Sequence, residues 1–417
     1  MLANRQSMIS SLRRDAWVEV DLNAIERNIA VIRSWLNPGT RLMAVVKSDA
    51  YGHGAVGVAN VLTACGADWL GVASIDEGCQ LRVAGVRQPI LVLSPCPSWA
   101  VAAALDADLN ITVTSSSQIA DIAESCRRQN RSASIHLKID TGMHRLGVAL
   151  EHIDDVIEAL KKNPELRLTG LFSHFAKADE EEFTRKQTET FNKAIEKVKA
   201  AGLKPDLIHL ASGEAARRFP FTHFDMVRVG LYMYGLEASV VSDVVIPVMS
   251  VKGRINHIQE IAEGESLGYS LTWASSRKSR IASIPIGYAD GIDRRLSNKL
   301  TGLLMGKQIS QVGLISMDQM LFDITDVPQA QEGDVVTLLG LDHGESEASD
   351  DKNQLFLATW ANLLDTITYE LACRLRARMP RMYTRNLNLP EPAGPKQNAA
   401  ARDRQNERAE SEQEQGT

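Results

Sequence analysis

The chain has 417 residues, enough for two or three domains with substantial cores, and its apolar share of 44% and charged share of 24% are those of a globular protein. A net charge of −6, from 46 basic and 52 acidic residues, argues against a nucleic-acid binder, which carries a basic face. No apolar run is long enough for a bilayer span, and the start "MLANRQSMISSLRRD" lacks the apolar stretch of a signal peptide; five scattered cysteines, without metal-ligand spacing, fit reduced thiols in a cytoplasmic protein.

From Arg41 to Gly230 short apolar runs alternate with longer amphipathic ones. The predicted strands are "RLMAVVK", "DWLGVAS", "PILVLS", "NITVT", "SIHLKID", "LTGLFSH", "LIHLAS" and "MVRVG". They are continuously apolar, as expected where both faces of a strand are covered. Between them, "EEFTRKQTETFNKAIEKVKAAG" has helical spacing and ends in Gly202, a good C-cap. A closed (β/α)₈ barrel and a doubly wound open sheet both alternate in this way. Eight units without a long break favour the barrel, over residues 17–246.

After Pro247, "VMSVKGRINHIQEI", "SRIASIPIGYAD", "MLFDITDV" and "DVVTLLG" predict a smaller, mainly β domain over residues 247–385. Within it, "LDHGESEASDDKNQ" is an acidic loop and "LFLATWANLLDTITYELACRLRARM" a single helix. Residues 386–417 are too polar to bury a core and are expected to be disordered.

In a barrel, chemistry gathers at the C-terminal ends of the strands. Lys47 ends the first, and a buried ammonium must be paired, neutralised or used covalently; the plain alternative keeps its head in water. Lys138, Arg145, His174, His209, Ser212 and Arg228 fall at or near the ends of later strands. Each has an ordinary structural explanation, but their coincidence at one mouth is harder to dismiss. Ser212 in "ASGEAA" stands at a helix start, where backbone N–H groups face an anion, and Gly230 permits close backbone approach. An aldehyde cofactor bearing a phosphate uses both features, lysine for the covalent link and loops for the phosphate. That cofactor is pyridoxal 5′-phosphate.

"AVVKSDAYGHG", "KIDTGMHRLG", "SHFAKAD", "VRVGLYMYG", "IPIGYADG" and "SMDQM" occur in this order, and together they resemble the motifs of the alanine racemase family from about Trp17 to Met382. The resemblance implies pyridoxal-phosphate-dependent interconversion of L- and D-alanine, supplying D-alanine for peptidoglycan. It implies that Lys47 carries the cofactor and serves as one proton-transfer base, with Tyr269 in "EGESLGYSLTW" as the second. Tyr51, Ser212, Gly230, Leu231 and Tyr369 match phosphate-holding positions. Arg228 matches the partner of the ring nitrogen, His174 the residue against the ring face, and His209 a neighbour that orients Arg228. Arg145 and the Met317 backbone N–H match the holders of the substrate carboxylate, and Tyr288 an entrance tyrosine. Tyr269, Tyr288 and Met317 then come from the partner subunit of a homodimer.

Lys138 matches a lysine carbamylated in many members; the alternative is an ammonium paired with Asp140 or Glu214. Ser48-Asp49 replaces the commoner Ala-Asn and is expected to face away from the site by strand alternation. Ser212-Gly213 replaces Asn-Ser at the phosphate loop. Neither change touches the proton-transfer pair. The competing readings are a barrel decarboxylase, opposed by Arg228, a non-catalytic cofactor-carrying barrel, opposed by the second domain, and a serine or broad-spectrum racemase. No metal site, nucleic acid or membrane partner is expected.

Overall fold

A computed structural model describes residues 14–236, 245–341, 354–375 and 377–385. Eight parallel strands close a barrel: β2 (Arg41–Val45), β3 (Trp69–Val72), β4 (Ile90–Pro95), β5 (Asn110–Val113), β6 (Ala133–Lys138), β7 (Leu166–Phe172), β8 (Leu207–Ser212) and β9 (Met226–Val229). Closure is made by β2 on β9, with Met43 opposite Arg228. All eight were predicted as strands, since both faces of each are packed. The surrounding helices bury one stripe each: Ile153–Lys162 buries Ile153, Val156, Ile157 and Leu160, spaced as one helical face requires. The long helix Glu181–Ala200 closes with Gly202 in the left-handed conformation.

The barrel interior is layered. Met43, Leu91, Leu207 and Met226 form an apolar floor. Two residues further along two of these strands the inward side chains are polar, His209 following Leu207 and Arg228 following Met226, while Val45 and Leu93 follow Met43 and Leu91. The floor is apolar and the mouth is charged, so the C-terminal ends of the strands carry the chemistry.

The strand before the barrel, β1 (Ala16–Asp21), does not belong to it. β1 pairs antiparallel with Met249–Arg254 and parallel with Arg381–Thr384, inside the ten-stranded sheet of the smaller domain. From β1 in the second domain the chain crosses to the barrel through the helix Leu22–Trp35, capped by the Asp21 carboxylate, and later returns. A half-buried pair ties this seam, with Lys252 Nζ 2.7 Å from Glu19 Oε2.

The segment predicted as one C-terminal helix is two, Leu357–Leu364 and Thr368–Arg374. Asp365 between them adopts φ +52°, a conformation that aspartate tolerates better than most side chains. The acidic loop after Leu341, at 342–353, and the tail at 386–417 lie outside the described residues.

Candidate active site

Lys47 follows β2 and opens an uncommon turn. Ser48, Asp49, Ala50 and Tyr51 all have φ of +52° to +54°, a full left-handed helical turn without glycine. Each such residue costs about 1–2 kcal/mol, so the turn needs external support. The Glu77 carboxylate accepts from the Ser48 N–H at 2.7 Å, and Asp49 Oδ1 accepts from the Ala55 N–H at 2.7 Å. His53, fully buried, points Nδ1 at the carbonyls of Ala50 (2.9 Å) and Tyr51 (3.1 Å). Ser48 and Asp49 therefore do not alternate along a strand as expected; they fasten the turn that aims Lys47 and Tyr51.

Four cations converge on the mouth. Lys138, at the end of β6, is buried, and its pKa is pulled down to about 8 by burial and then by Arg228, Arg145 and Lys47. Burial and then Arg145 also lower Lys47. Neither carboxylate offered by the sequence pairs with Lys138. Asp140 Oδ1 takes the backbone N–H groups of Gly142, Met143 and His144, while Glu214 takes Tyr232, Arg217 and Arg218. Lys138 instead lies over the Phe172 ring, 5.3 Å from its centre. Among the described residues Lys47, Lys138 and Arg145 form no ion pair.

Arg228 is buried on β9 and held through both terminal nitrogens. Nη1 donates to His209 Nδ1 at 3.0 Å, and Nη2 donates to the carbonyls of Ser173 (2.6 Å) and Leu210 (3.0 Å), with His174 Nδ1 at 3.3 Å. Burial lowers its pKa to about 9, so it remains a cation at neutrality. Burial, and then Arg228, hold His174 at about 3 and His209 well below its usual value; both rings are neutral. The Phe172 ring stacks on His209 at 4.9 Å.

Beside this centre, Ser212 stands opposite Arg228 in register, its hydroxyl free of any capping bond. Gly230 and Leu231 follow β9. A Cβ at Gly230 would fall 2.7 Å from the Tyr51 hydroxyl, so glycine there is what admits the tyrosine in this position. The Tyr51 phenol is pushed up by burial, with Tyr369 among its electrostatic neighbours.

The barrel mouth thus brings together Lys47, Tyr51, Lys138, Arg145, His174, His209, Ser212, Arg228, Gly230, Leu231 and Tyr369. Tyr269, Tyr288 and Met317 all belong to the smaller domain, and all three are exposed. The Tyr288 N–H donates to the Ser316 carbonyl at 3.0 Å and the Ala289 N–H to Met317 at 3.0 Å, locking two of the loops together. The Met317 N–H makes no hydrogen bond among the described residues.

Residues 20–238 match the alanine racemase N-terminal domain and residues 248–383 the C-terminal domain. The chain belongs to the alanine racemase family. It is 38% identical to the alanine racemase of a Nostoc species over 88% of this chain and 95% of that one, and 39% identical to that of a Synechocystis species over 89% and 99%. The solved alanine racemase of Clostridium difficile 630 superposes with a TM-score of 0.82 at 33% identity, covering 91% of this chain and 98% of that one.

The family depends on pyridoxal 5′-phosphate, and the mouth of this barrel fits that group. It gathers four cations, with Asp140 and Glu214 engaged elsewhere, an electrostatic setting that suits an anionic cofactor and substrate. Gly230 lets the Tyr51 hydroxyl lie against the backbone that follows β9, where a side chain at 230 would push it aside, and so keeps a phenol donor at the mouth for an anionic group. Sequence reading missed three supporting residues of this racemase fold: His53, Glu77 and His136. Of these, His136 carried a signal, since it stands two residues before Lys138 on one strand and so shares its inward face.

Proposed function

We propose that the chain catalyses the interconversion of L- and D-alanine with pyridoxal 5′-phosphate, as a cytoplasmic homodimer, and so supplies D-alanine for peptidoglycan. The observation that carries the reading is the cationic mouth around Lys47, where four positive groups stand without an ion-paired carboxylate.

When bound, the cofactor supplies an electron sink that acidifies the substrate Cα–H. Lys47 is its covalent anchor. Tyr51, Tyr369, the Ser212 hydroxyl and the backbone at Gly230 and Leu231 hold its phosphate. Arg228 faces its ring nitrogen. A guanidinium has no lone pair to accept a proton bond and keeps its own protons, so that nitrogen stays unprotonated and the sink is tempered. A decarboxylase of related fold gains from the opposite setting, a carboxylate at this position. His174 lies against the ring face.

Arg145 and the Met317 N–H hold the substrate carboxylate, with Tyr288 at the entrance. Racemisation needs a base on each face of the α-carbon: Lys47 on one and Tyr269 on the other. Support for a homodimer is the division of residues between two surfaces of one chain, one at the barrel mouth and one exposed on the smaller domain. A two-fold dimer brings each surface to the other's partner. Lys138, left without a carboxylate, reacts as its free amine with carbon dioxide: the N–C bond forms, the nitrogen releases a proton to solvent, and the carbamate anion orients Arg145. All five cysteines are free, which suits a cytoplasmic setting. Among the described residues no helix is long and apolar enough to cross a membrane.

The test is conversion of pure L-alanine, and separately pure D-alanine, by the purified holoenzyme, followed by chiral chromatography with serine and basic amino acids in parallel. The reading expects both alanine runs to converge on an equal mixture with no loss of carboxyl carbon. Carbon dioxide release, or preference for another amino acid, would contradict it.

A further inference from the structure

Behind Arg228 a line of donors runs down the barrel, and its direction is fixed by chemistry. A guanidinium only donates, so His209 Nδ1, 3.0 Å from Arg228 Nη1, must accept. A neutral His209 then carries its proton on Nε2. That atom lies 2.9 Å from His136 Nδ1, which must accept in turn. His136 therefore carries its own proton on Nε2, and this N–H is buried without a partner among the described residues.

A buried, unpaired N–H is uncommon and unfavourable, and an apolar ring of the same shape would avoid it. The fold is nonetheless built around this ring. A Cβ at Gly170, on the neighbouring strand, would fall 2.3 Å from His136 Nδ1, so glycine at 170 is what admits the imidazole. Trp69 covers another side, with ring centres 5.4 Å apart.

We infer that His136 is a positioning residue for Arg228. By accepting from His209 Nε2–H it fixes the His209 tautomer, which keeps a lone pair rather than a proton facing the guanidinium. Without His136, His209 is free to place its proton on Nδ1, where it opposes Arg228 and displaces it from the cofactor. The inference rests on the assignment of Arg228 to the cofactor's ring nitrogen.

The test compares wild type, His136→Phe, His136→Asn and Arg228→Gln. Two quantities are measured: the dissociation constant of pyridoxal 5′-phosphate from the apoprotein and the melting temperature of that apoprotein. Asparagine keeps an acceptor where Nδ1 stood; phenylalanine does not. His136→Phe removes the unpaired N–H of residue 136, and His209 can then carry its proton on Nδ1 and turn a lone pair toward the phenylalanine, so no new buried donor is orphaned and the apoprotein's melting temperature stays near that of wild type. Its dissociation constant rises about tenfold or more, the usual loss when an outer partner of a binding group is removed. His136→Asn restores most of the affinity.

Wild-type affinity in a folded His136→Phe, while Arg228→Gln binds weakly, would overturn the role of His136. Equal losses of affinity and of melting temperature in the Phe and Asn variants would do the same. Unchanged affinity in Arg228→Gln would overturn the assignment of Arg228, and the relay with it. If His136→Phe does not fold, nitrogen-15 spectra of histidine-labelled wild type decide. Protons on Nε2 of both His136 and His209 support the relay, and a proton on Nδ1 of either contradicts it.

Discussion

Lys138 Nζ lies 5.3 Å from the centre of the Phe172 ring and forms no ion pair among the described residues. Its pKa of about 8, against an ordinary 10.5, means that the folded chain resists protonating it. Below about pH 8 the folded apoprotein carries the full cost of the buried ammonium. Between about pH 8 and 10.5 the unfolded chain binds more protons, so stability rises with pH. In carbonate-free buffer, Lys138→Met should therefore stabilise the apoprotein at pH 7, by at most about 3 kcal/mol. It should also flatten the pH dependence above 8. Urea melts at pH 7 and pH 10 check both.

The buried histidines set the acid limit. Burial holds His53 at about 4, and His136 and His174 at about 3, against 6.5 for a free ring. All three are neutral in the fold, so the unfolded chain binds more protons as the pH drops below 6.5, and stability falls through the window down to these values. His53→Phe should weaken that acid dependence. At pH 7.5 it should cost about 1–3 kcal/mol, because the Ala50 and Tyr51 carbonyls lose their buried partner. Urea melts at pH 5 and 7.5 separate the two effects.

What the sequence disclosed and what it hid divide along physical lines. The barrel strands were legible because burial on both faces leaves continuous apolar runs. The convergence of Lys47, Lys138, Arg145 and Arg228 followed from their places near strand ends. β1 was not legible, because its partners Met249–Arg254 and Arg381–Thr384 are more than two hundred residues away. Nor was the left-handed turn at Ser48–Tyr51. Local propensity disfavours it, and its supports, Glu77 and His53, act through tertiary contacts. The break at Asp365 was hidden because the apolar residues of both helices continue the same spacing across it.

Tyr269→Phe should leave folding intact, since the ring is 69% exposed in the isolated chain. Racemisation should fall about 10²–10⁴-fold in both directions, the usual loss for a positioned general base. The half-reactions should differ. In deuterated water the variant should still exchange the α-proton of D-alanine, using Lys47, while exchange of L-alanine stalls. Proton NMR of each enantiomer follows both. Equal loss of the two exchanges, with the cofactor still bound, would count against bases on opposite faces.

In the proposed dimer, Lys47 of one subunit and Tyr269 of the other build a single site. Lys47→Ala and Tyr269→Phe, each nearly inactive alone, should complement when their subunits are exchanged. Half of a random mixture is hybrid, and each hybrid holds one intact site, so recovery should approach about a quarter of wild-type activity. Recovery near that level supports the shared site. No recovery, after subunit exchange is verified by mass, would mean that each chain completes its own site and would contradict the account.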